Sequence, residues 1–321
     1  MQIAAVLVTH NRPALLLQAL AALRAQTRPL DAIYVVDNGS GNGGKDGGGS
    51  TALATPGASP DGVTLLRPGS NLGGAGGFAF GMTRAFAAGH DWIWLLDDDA
   101  LARPDALARL LEALDGPAAD AGVLCGTVRE FGDVARRHRR RYHLPTGLER
   151  ALATAAYDGP PCRVDTASFV GFLVSAAAIA RAGLPEPAFF LGYDDTEYSL
   201  RLGRAGLALW LAPGSVVEHL RERGARLRAG PFGRKHYFII RNRIAVARAY
   251  ATLPAVATAL ALLFGAALWL ASGGRLRRGS LRILWRALAD GCGGRLGPFP
   301  EALERLQRPP VESRLGTGRS L

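Results

Sequence analysis

Trp92-Ile93-Trp94-Leu95-Leu96-Asp97-Asp98-Asp99 is a short aromatic and branched run that stops on three carboxylates. Its length and composition are those of a buried strand, so the carboxylates stand at a sheet edge. Folding alone gives no reason for such charge. Adjacent carboxylates resist joint ionisation unless a cation neutralises them. One account is a divalent metal held by two of the three. Oxygen ligands suit Mg²⁺ or Mn²⁺, which commonly bind one or two carboxylates together with the phosphates of a substrate. The other account is a solvated turn in which Asp98 or Asp99 caps a helix beginning near Pro104.

Outward from that strand the first half alternates strands and helices. Residues 3–9 form a continuous apolar strand, and a helix follows over 13–25 with Pro13 at an early position. Residues 31–36 read as a second strand, ending in Asp37-Asn38-Gly39-Ser40. The Gly/Ser/Ala/Pro-rich stretch 41–62 reads as a loose loop. A third strand over 63–67, a helix over 76–88 and, beyond the aspartates, a helix over 104–114 complete the pattern. Such alternation indicates an α/β fold with a doubly wound, mostly parallel sheet that binds ligands at the carboxyl ends of its strands. Thr9-His10-Asn11, Asp37-Asn38 and Asp97–Asp99 then converge on one edge.

The segment Asn71-Leu72-Gly73-Gly74-Ala75-Gly76-Gly77-Phe78 opens the helix after the third strand. Glycines there permit close backbone approach, and a helix N-terminus favours phosphate; a purely structural turn is also compatible with them. A dinucleotide fingerprint can be imposed on Gly74, Gly76 and Ala79, but it follows the third strand and leaves the triple carboxylate without a role.

The chain has 321 residues and a net charge of +11, unevenly spread. Residues 1–220 carry 19 Lys/Arg and 22 Asp/Glu, whereas residues 221–321 carry 19 and 5. The basic half also holds the apolar segment 253–272, bracketed by Arg241, Arg243 and Arg248 before it and by Arg275, Arg277, Arg278, Arg282 and Arg286 after it. Its length suffices to cross a bilayer. Arginines at both ends leave orientation open, and a hairpin or in-plane helix is as compatible as a span. A buried helix of a soluble domain is the remaining alternative. The arginines bracket an apolar stretch without interleaved stacking aromatics, which favours an anionic membrane surface over nucleic acid. Cys125, Cys162 and Cys292 show no metal or disulfide spacing, as expected of a reducing compartment. Met1-Gln2-Ile3 enters a strand without a basic leader, so the expected location is cytoplasmic.

Val8-Thr9-His10-Asn11-Arg12, Val36-Asp37-Asn38-Gly39-Ser40, the glycine-rich segment and Leu96-Asp97-Asp98-Asp99 together resemble family 2 inverting glycosyltransferases of the GT-A fold. The nearest branch is the bacterial galactofuranosyl- and rhamnosyltransferases of cell-envelope glycan synthesis. Phe189-Phe190-Leu191-Gly192-Tyr193-Asp194-Asp195-Thr196-Glu197-Tyr198, Glu218-His219 and Tyr237-Phe238-Ile239-Ile240-Arg241-Asn242 extend the resemblance over about residues 3–250; the insertion after Ser40 departs from it. It implies a GT-A catalytic domain over 1–220 and a basic, helical, membrane-associated region over 221–321. It further implies a nucleotide-sugar pocket of Thr9, Asn11, Arg12, Asp37, Asn71, Gly74 and Asp98, with Asp37 reading the base. Asp97, Asp99 and His219 would hold Mn²⁺ or Mg²⁺ on the donor diphosphate. Asp195 matches the family base, and Asp194 and Glu197 would bind the acceptor; Asp194 also reads as a cap of the helix over 196–204. The implied donors are UDP-galactofuranose or dTDP-rhamnose, and the implied acceptor is a lipid-linked glycan at the cytoplasmic face of the membrane. A glycoside hydrolase also uses two carboxylates, but it needs neither nucleotide pocket nor metal. A non-catalytic, membrane-associated nucleotide-binding protein would leave the polar strand ends idle.

Overall fold

Ile3–Thr9 is buried at all seven positions because parallel neighbours flank it and helices cover both faces. In the computed structural model, which describes residues 1–39, 57–58, 62–220, 231–272 and 279–307, this strand is β1. Then come α1 (Pro13–Arg24), β2 (Ala32–Asp37), β3 (Gly57–Ala58), β4 (Val63–Leu66), α2 (Gly73–Ala87), β5 (Trp92–Asp97), β6 (Ala100–Ala102) and α3 (Ala106–Leu114). The middle of the chain supplies β7 (Ala121–Glu130), β8 (Asp133–Val134), β9 (Arg139–His143), β10 (Leu148–Ala151), β11 (Cys162–Val164), β12 (Thr166–Ala167) and β13 (Phe172–Ser175). It closes with α4 (Ala176–Ala182), α5 (Asp194–Arg204), β14 (Ala208–His219), α6 (Arg234–Tyr250), α7 (Pro254–Ala271), α8 (Ser280–Cys292) and α9 (Glu301–Gln307). Most of the loop expected over 41–62, and Arg275, Arg277 and Arg278, lie outside the described residues.

The main sheet runs β11-β14-β7-β13-β5-β1-β2-β4-β3. From β5 through β1 and β2 to β4 the sheet is parallel as expected, and β3 adds a short antiparallel edge: β1 pairs with β2 and β5, β2 with β4, and β3 with β4. Beyond β5 the sheet becomes mixed, because β13 runs antiparallel between β5 and β7. Trp92 and Trp94 are buried in the core under this sheet.

Helix α2 begins three residues earlier than its sequence pattern suggests, at Gly73, whose amide donates to the Asn71 side chain at 2.8 Å. Its glycines bring the helix down onto the sheet. A Cβ at Gly81 would come within 2.4 Å of Val6 Cγ1, and one at Gly77 within 2.7 Å of Val8 Cγ1. Helices α6, α7 and α8 share a separate apolar core that includes Phe238, Ile240, Ile244, Ala261, Leu268 and Leu284.

Candidate active site

Strand register assembles the site. Thr9 lies opposite Asp37, and Val8 opposite Asp97, so the carboxyl ends of β1, β2 and β5 finish side by side. The chain then turns through Asp98 and Asp99 into β6, whose Ala100 pairs with His219 at the end of β14. The amide of Leu220 donates to the Asp99 carbonyl at 2.8 Å.

The aspartates are not helix caps. Helix α3 starts at Ala106 with Asp105 at its N-cap position, and no side chain caps it. Asp98 accepts from Thr9 Oγ1 at 2.7 Å and from Arg12 Nη1 at 3.2 Å. Asp99 accepts from the same Arg12 nitrogen at 3.0 Å and faces His219 Nε2 at 3.2 Å. Three carboxylates are therefore opposed by one guanidinium and one imidazole.

The electrostatics carry the mark of that crowding. Burial, then the charges of Asp99 and Asp98, push the Asp97 carboxyl up to about 7 despite His219 and Arg12. Burial also raises Asp98, against the bonds from Thr9 and Arg12. Burial would raise Asp99 too, but His219 and Arg12 outweigh it and hold it low. His219 is driven down by burial yet ends up at about 9, because Asp99, Asp97 and Glu130 favour its charged form.

Asp97, Asp99 and His219 each offer one ligand atom, all within 4.8 Å of one another. Two hard oxygens and one imidazole, in a pocket where unneutralised carboxylates are costly, fit a divalent cation. Glu130, at the end of β7, accepts from His219 Nδ1 at 2.9 Å and meets His138 Nε2 at 3.1 Å. The hydrogen bond from His138, against burial, holds Glu130 down at about 2. Burial drives His138 down to about 4. Glu130, His138 and His219 are also close enough to group around an ion. Their nitrogens and carboxylate, however, already bond one another and Ser168, which makes them an orienting shell for His219. Neither Glu130 nor His138 sits in a sequence motif, and spatial proximity to His219 is the only signal that finds them.

At the end of β2, Asp37 is buried and its Oδ2 lies 3.7 Å from Arg67 Nε. Asn11 takes a left-handed conformation (φ 56°), which asparagine tolerates and which turns the chain into Arg12. Asn38 does more than its place beside Asp37 suggests. Its Oδ1 accepts from the Leu72 amide and its Nδ2 donates to the Gly73 carbonyl, each at 2.8 Å, clamping β2 to the start of α2. Gly74 opens onto free space, whereas Gly73 (φ 71°) is where the fold requires glycine, since a Cβ there would run into the Phe190 carbonyl.

Three further carboxylates come from the start of α5. Asp194 is the first residue of that helix; its N-cap is Tyr193, in a left-handed conformation, so Asp194 is not the cap. Burial and the neighbouring charges of Asp195 and Asp97 push Asp194 well up, which ties α5 electrostatically to the β5 end. Asp195 Oδ1 accepts from the Thr196 amide at 2.6 Å and the Thr196 hydroxyl at 3.2 Å. That hydroxyl in turn accepts from Arg140 Nη2 at 3.0 Å, and Arg140 pairs with Glu149 at 2.9 Å. Both Glu197 oxygens are engaged, by Arg201 at 2.9 and 3.0 Å and by the Tyr250 hydroxyl at 2.6 Å, which favours anchoring α5 over acceptor contact.

The loop before Asp194 is held from behind. Phe190 and Tyr193 both have positive φ (63° and 65°), a conformation that persists only where the surroundings impose it. Arg241 donates to the carbonyls of Ala188 and Phe189, and Asn242 to those of Phe189, Leu191 and Gly192. Trp210 points away from this edge, bonding Asp120 and stacking under Arg163.

Solved structures share this fold. S. aureus TarS residues 1–349 in complex with UDP superposes with a TM-score of 0.57 at 11 % identity, covering 95 % of this chain and 83 % of that one. GalNAc-T7 with UDP, GalNAc and Mn²⁺ gives 0.54 at 15 % identity, covering 76 % and 51 %. The likeness shows the GT-A fold; the class, glycosyltransferase, is set by the family model. The model of glycosyl transferase family 2 matches residues 4–177, and the chain belongs to that family. Galactofuranosyltransferase GlfT1 of Mycobacterium tuberculosis is 38 % identical over 208 residues, 63 % of this chain and 65 % of that relative's length. GlfT1 of Mycolicibacterium smegmatis is 31 % identical over 264 residues, 75 % and 81 % of the two chains.

Proposed function

We propose that the protein transfers galactofuranose from UDP-galactofuranose to a lipid-linked cell-envelope glycan, in a metal-dependent reaction that inverts the anomeric centre. The observation that carries it is the meeting of the Asp97–Asp99 turn, His219 and Asp194–Asp195 at one sheet edge in a family 2 chain whose relatives are named galactofuranosyltransferases. dTDP-rhamnose is the second donor to test.

In this reading Asp37 binds the base, and Thr9, Asn11, Arg12, Asn71, Gly74 and Asp98 line the nucleotide. Asp97, Asp99 and His219 would hold Mn²⁺ or Mg²⁺, which would supply positive charge to the diphosphate leaving group. Arg12 adds positive charge beside Asp98 and Asp99, where the diphosphate oxygens need it. Asp195 takes the proton of the acceptor hydroxyl. Thr196 engages its Oδ1, and the acceptor is assigned to Oδ2. Asp194 orients the acceptor, and Glu197 fixes the helix that carries both. Residues 1–220 form the catalytic unit, and residues 221–321 bring it to the cytoplasmic face of the membrane, raising the effective concentration of a lipid-linked acceptor.

The test is incubation of the purified protein with Mn²⁺, a lipid-linked acceptor and a panel of nucleotide sugars, reading diphosphate release and glycan mass. Transfer from UDP-galactofuranose above all others is expected. Transfer from another donor alone would overturn the donor, and sugar release without any nucleotide sugar would overturn the class.

A further inference from the structure

The mean hydropathy of α7 allows it to cross a bilayer, since Pro254–Ala271 is 18 residues with a hydropathy of 1.9. Its packing tells against crossing. Ala257, Ala261, Gly265 and Leu268 form the buried stripe, and a Cβ at Gly265 would meet Ile240 of α6 at 3.0 Å and Leu288 of α8 at 3.3 Å. At the C-terminal end, Ser272 Oγ lies 3.1 Å from His236 Nε2 in the first turn of α6. Just before the N-terminal end, the Thr252 amide donates to the Leu144 carbonyl at 2.8 Å. Helix α7 therefore lies antiparallel along α6 and is tied at both ends.

Helix α6 cannot follow it into lipid. It carries Arg234, Lys235, His236, Arg241, Asn242, Arg243 and Arg248, and its Arg241 and Asn242 hold the loop in front of Asp194. Charged groups at the bilayer centre are expensive, and this helix is fixed through that loop to the catalytic unit.

The opposite side of α7 is an uninterrupted aliphatic stripe. Val256, Leu263 and Leu270 recur every seven residues, with Leu263 66 % and Leu270 55 % exposed. The stripe continues onto α8. Leu288, which faces Gly265, shares a helical face with Leu281 and Trp285 at i−7 and i−3, and Trp285 is 66 % exposed. Arg282 and Arg286 follow Leu281 and Trp285 directly and are exposed too. An exposed aliphatic surface edged by tryptophan and arginines has the chemistry of an anionic lipid interface.

We propose that α7 and the outer edge of α8 form a docking face that lies in the plane of an anionic bilayer, one face immersed, without crossing it. Through α6 the docked face is rigidly connected to the loop of Asp194 and Asp195, so the membrane sets the height of the acceptor end of the site. The inference extends the membrane partner proposed above and is read without donor or acceptor, so its failure and that of sugar transfer are separable.

The experiment is flotation of the full chain with vesicles of phosphatidylglycerol and phosphatidylcholine, or of phosphatidylcholine alone. Bimane at Val256→Cys, Leu263→Cys or Leu270→Cys in a Cys292→Ser background then reports depth by quenching with brominated lipids. Binding to the anionic vesicles is expected, weakened roughly tenfold or more in Leu263→Glu/Trp285→Glu, with three equal shallow depths. The melting temperature and diphosphate release with a water-soluble acceptor act as folding controls for that variant. A graded depth passing through the bilayer centre would overturn the proposal in favour of a span. No vesicle binding, with a dimer that the Glu variants dissociate, would overturn it in favour of a second copy of the chain.

Discussion

His219 has to change its protonation to serve as a ligand. In the free protein it is a cation between Asp99 and Glu130, held at about 9. Binding a metal through Nε2 requires loss of that proton, and Asp97, pushed up to about 7 by burial, must lose its own. Both steps release protons, so divalent-metal affinity rises with pH between 6 and 9. Calorimetric Mn²⁺ titrations at pH 6, 7.5 and 9 check this, and a flat or falling affinity would remove His219 and Asp97 from the ligand set. Glu130 acts one step further out. With Glu130→Gln the Nδ1 of His219 loses its charged acceptor, and Mn²⁺ affinity should fall about 10–100-fold with no donor present. An unchanged affinity would reduce Glu130 to a fold residue. The aspartate triplet was legible in sequence because three adjacent carboxylates ending a strand have few other causes. Glu130 and His138 were not, since they reach His219 from β7 and a separate turn without any fixed spacing.

At the scale of elements, the parallel strands β1, β2 and β5 follow directly from their composition, since buried parallel strands are largely apolar. The start of α2 did not, because glycines count against a helix even where they are needed for close packing on Val6 and Val8. The antiparallel course of β13 was equally hidden: three apolar residues and a serine carry no mark of direction. The loop over 188–193 depends on another element altogether. Asn242 is fully buried and donates to three carbonyls, so Asn242→Ala should lower stability by about 1–3 kcal/mol by leaving those acceptors unsatisfied. It should also lower kcat while UDP binding persists, because the loop aims Asp195 and not the nucleotide pocket. Thermal melts and a UDP titration separate the two effects; full kcat would deny α6 its positioning role. Gly81→Ala tests the helix–sheet contact. Its Cβ would press on Val6 and Val36, an overpacking worth about 1–3 kcal/mol in a thermal melt.

The molecule as a whole joins an acidic-edged sheet to a helical layer, and the chain's positive charge is concentrated in the residues after 220. The arrangement of the helical layer was not legible in sequence, because an apolar run reads alike whether it spans, docks or packs; the structure shows it packed along α6. The account rests on one chemical claim, that Asp195 accepts the proton of the attacking hydroxyl beside a metal-bound donor diphosphate. Initial rates of UDP release and glycan transfer with saturating UDP-galactofuranose, Mn²⁺ and acceptor, compared between the wild type and Asp195→Asn, test it most directly. The prediction is a loss of about 10²–10⁴-fold in rate with donor affinity unchanged. Turnover of Asp195→Asn at the wild-type rate would contradict it.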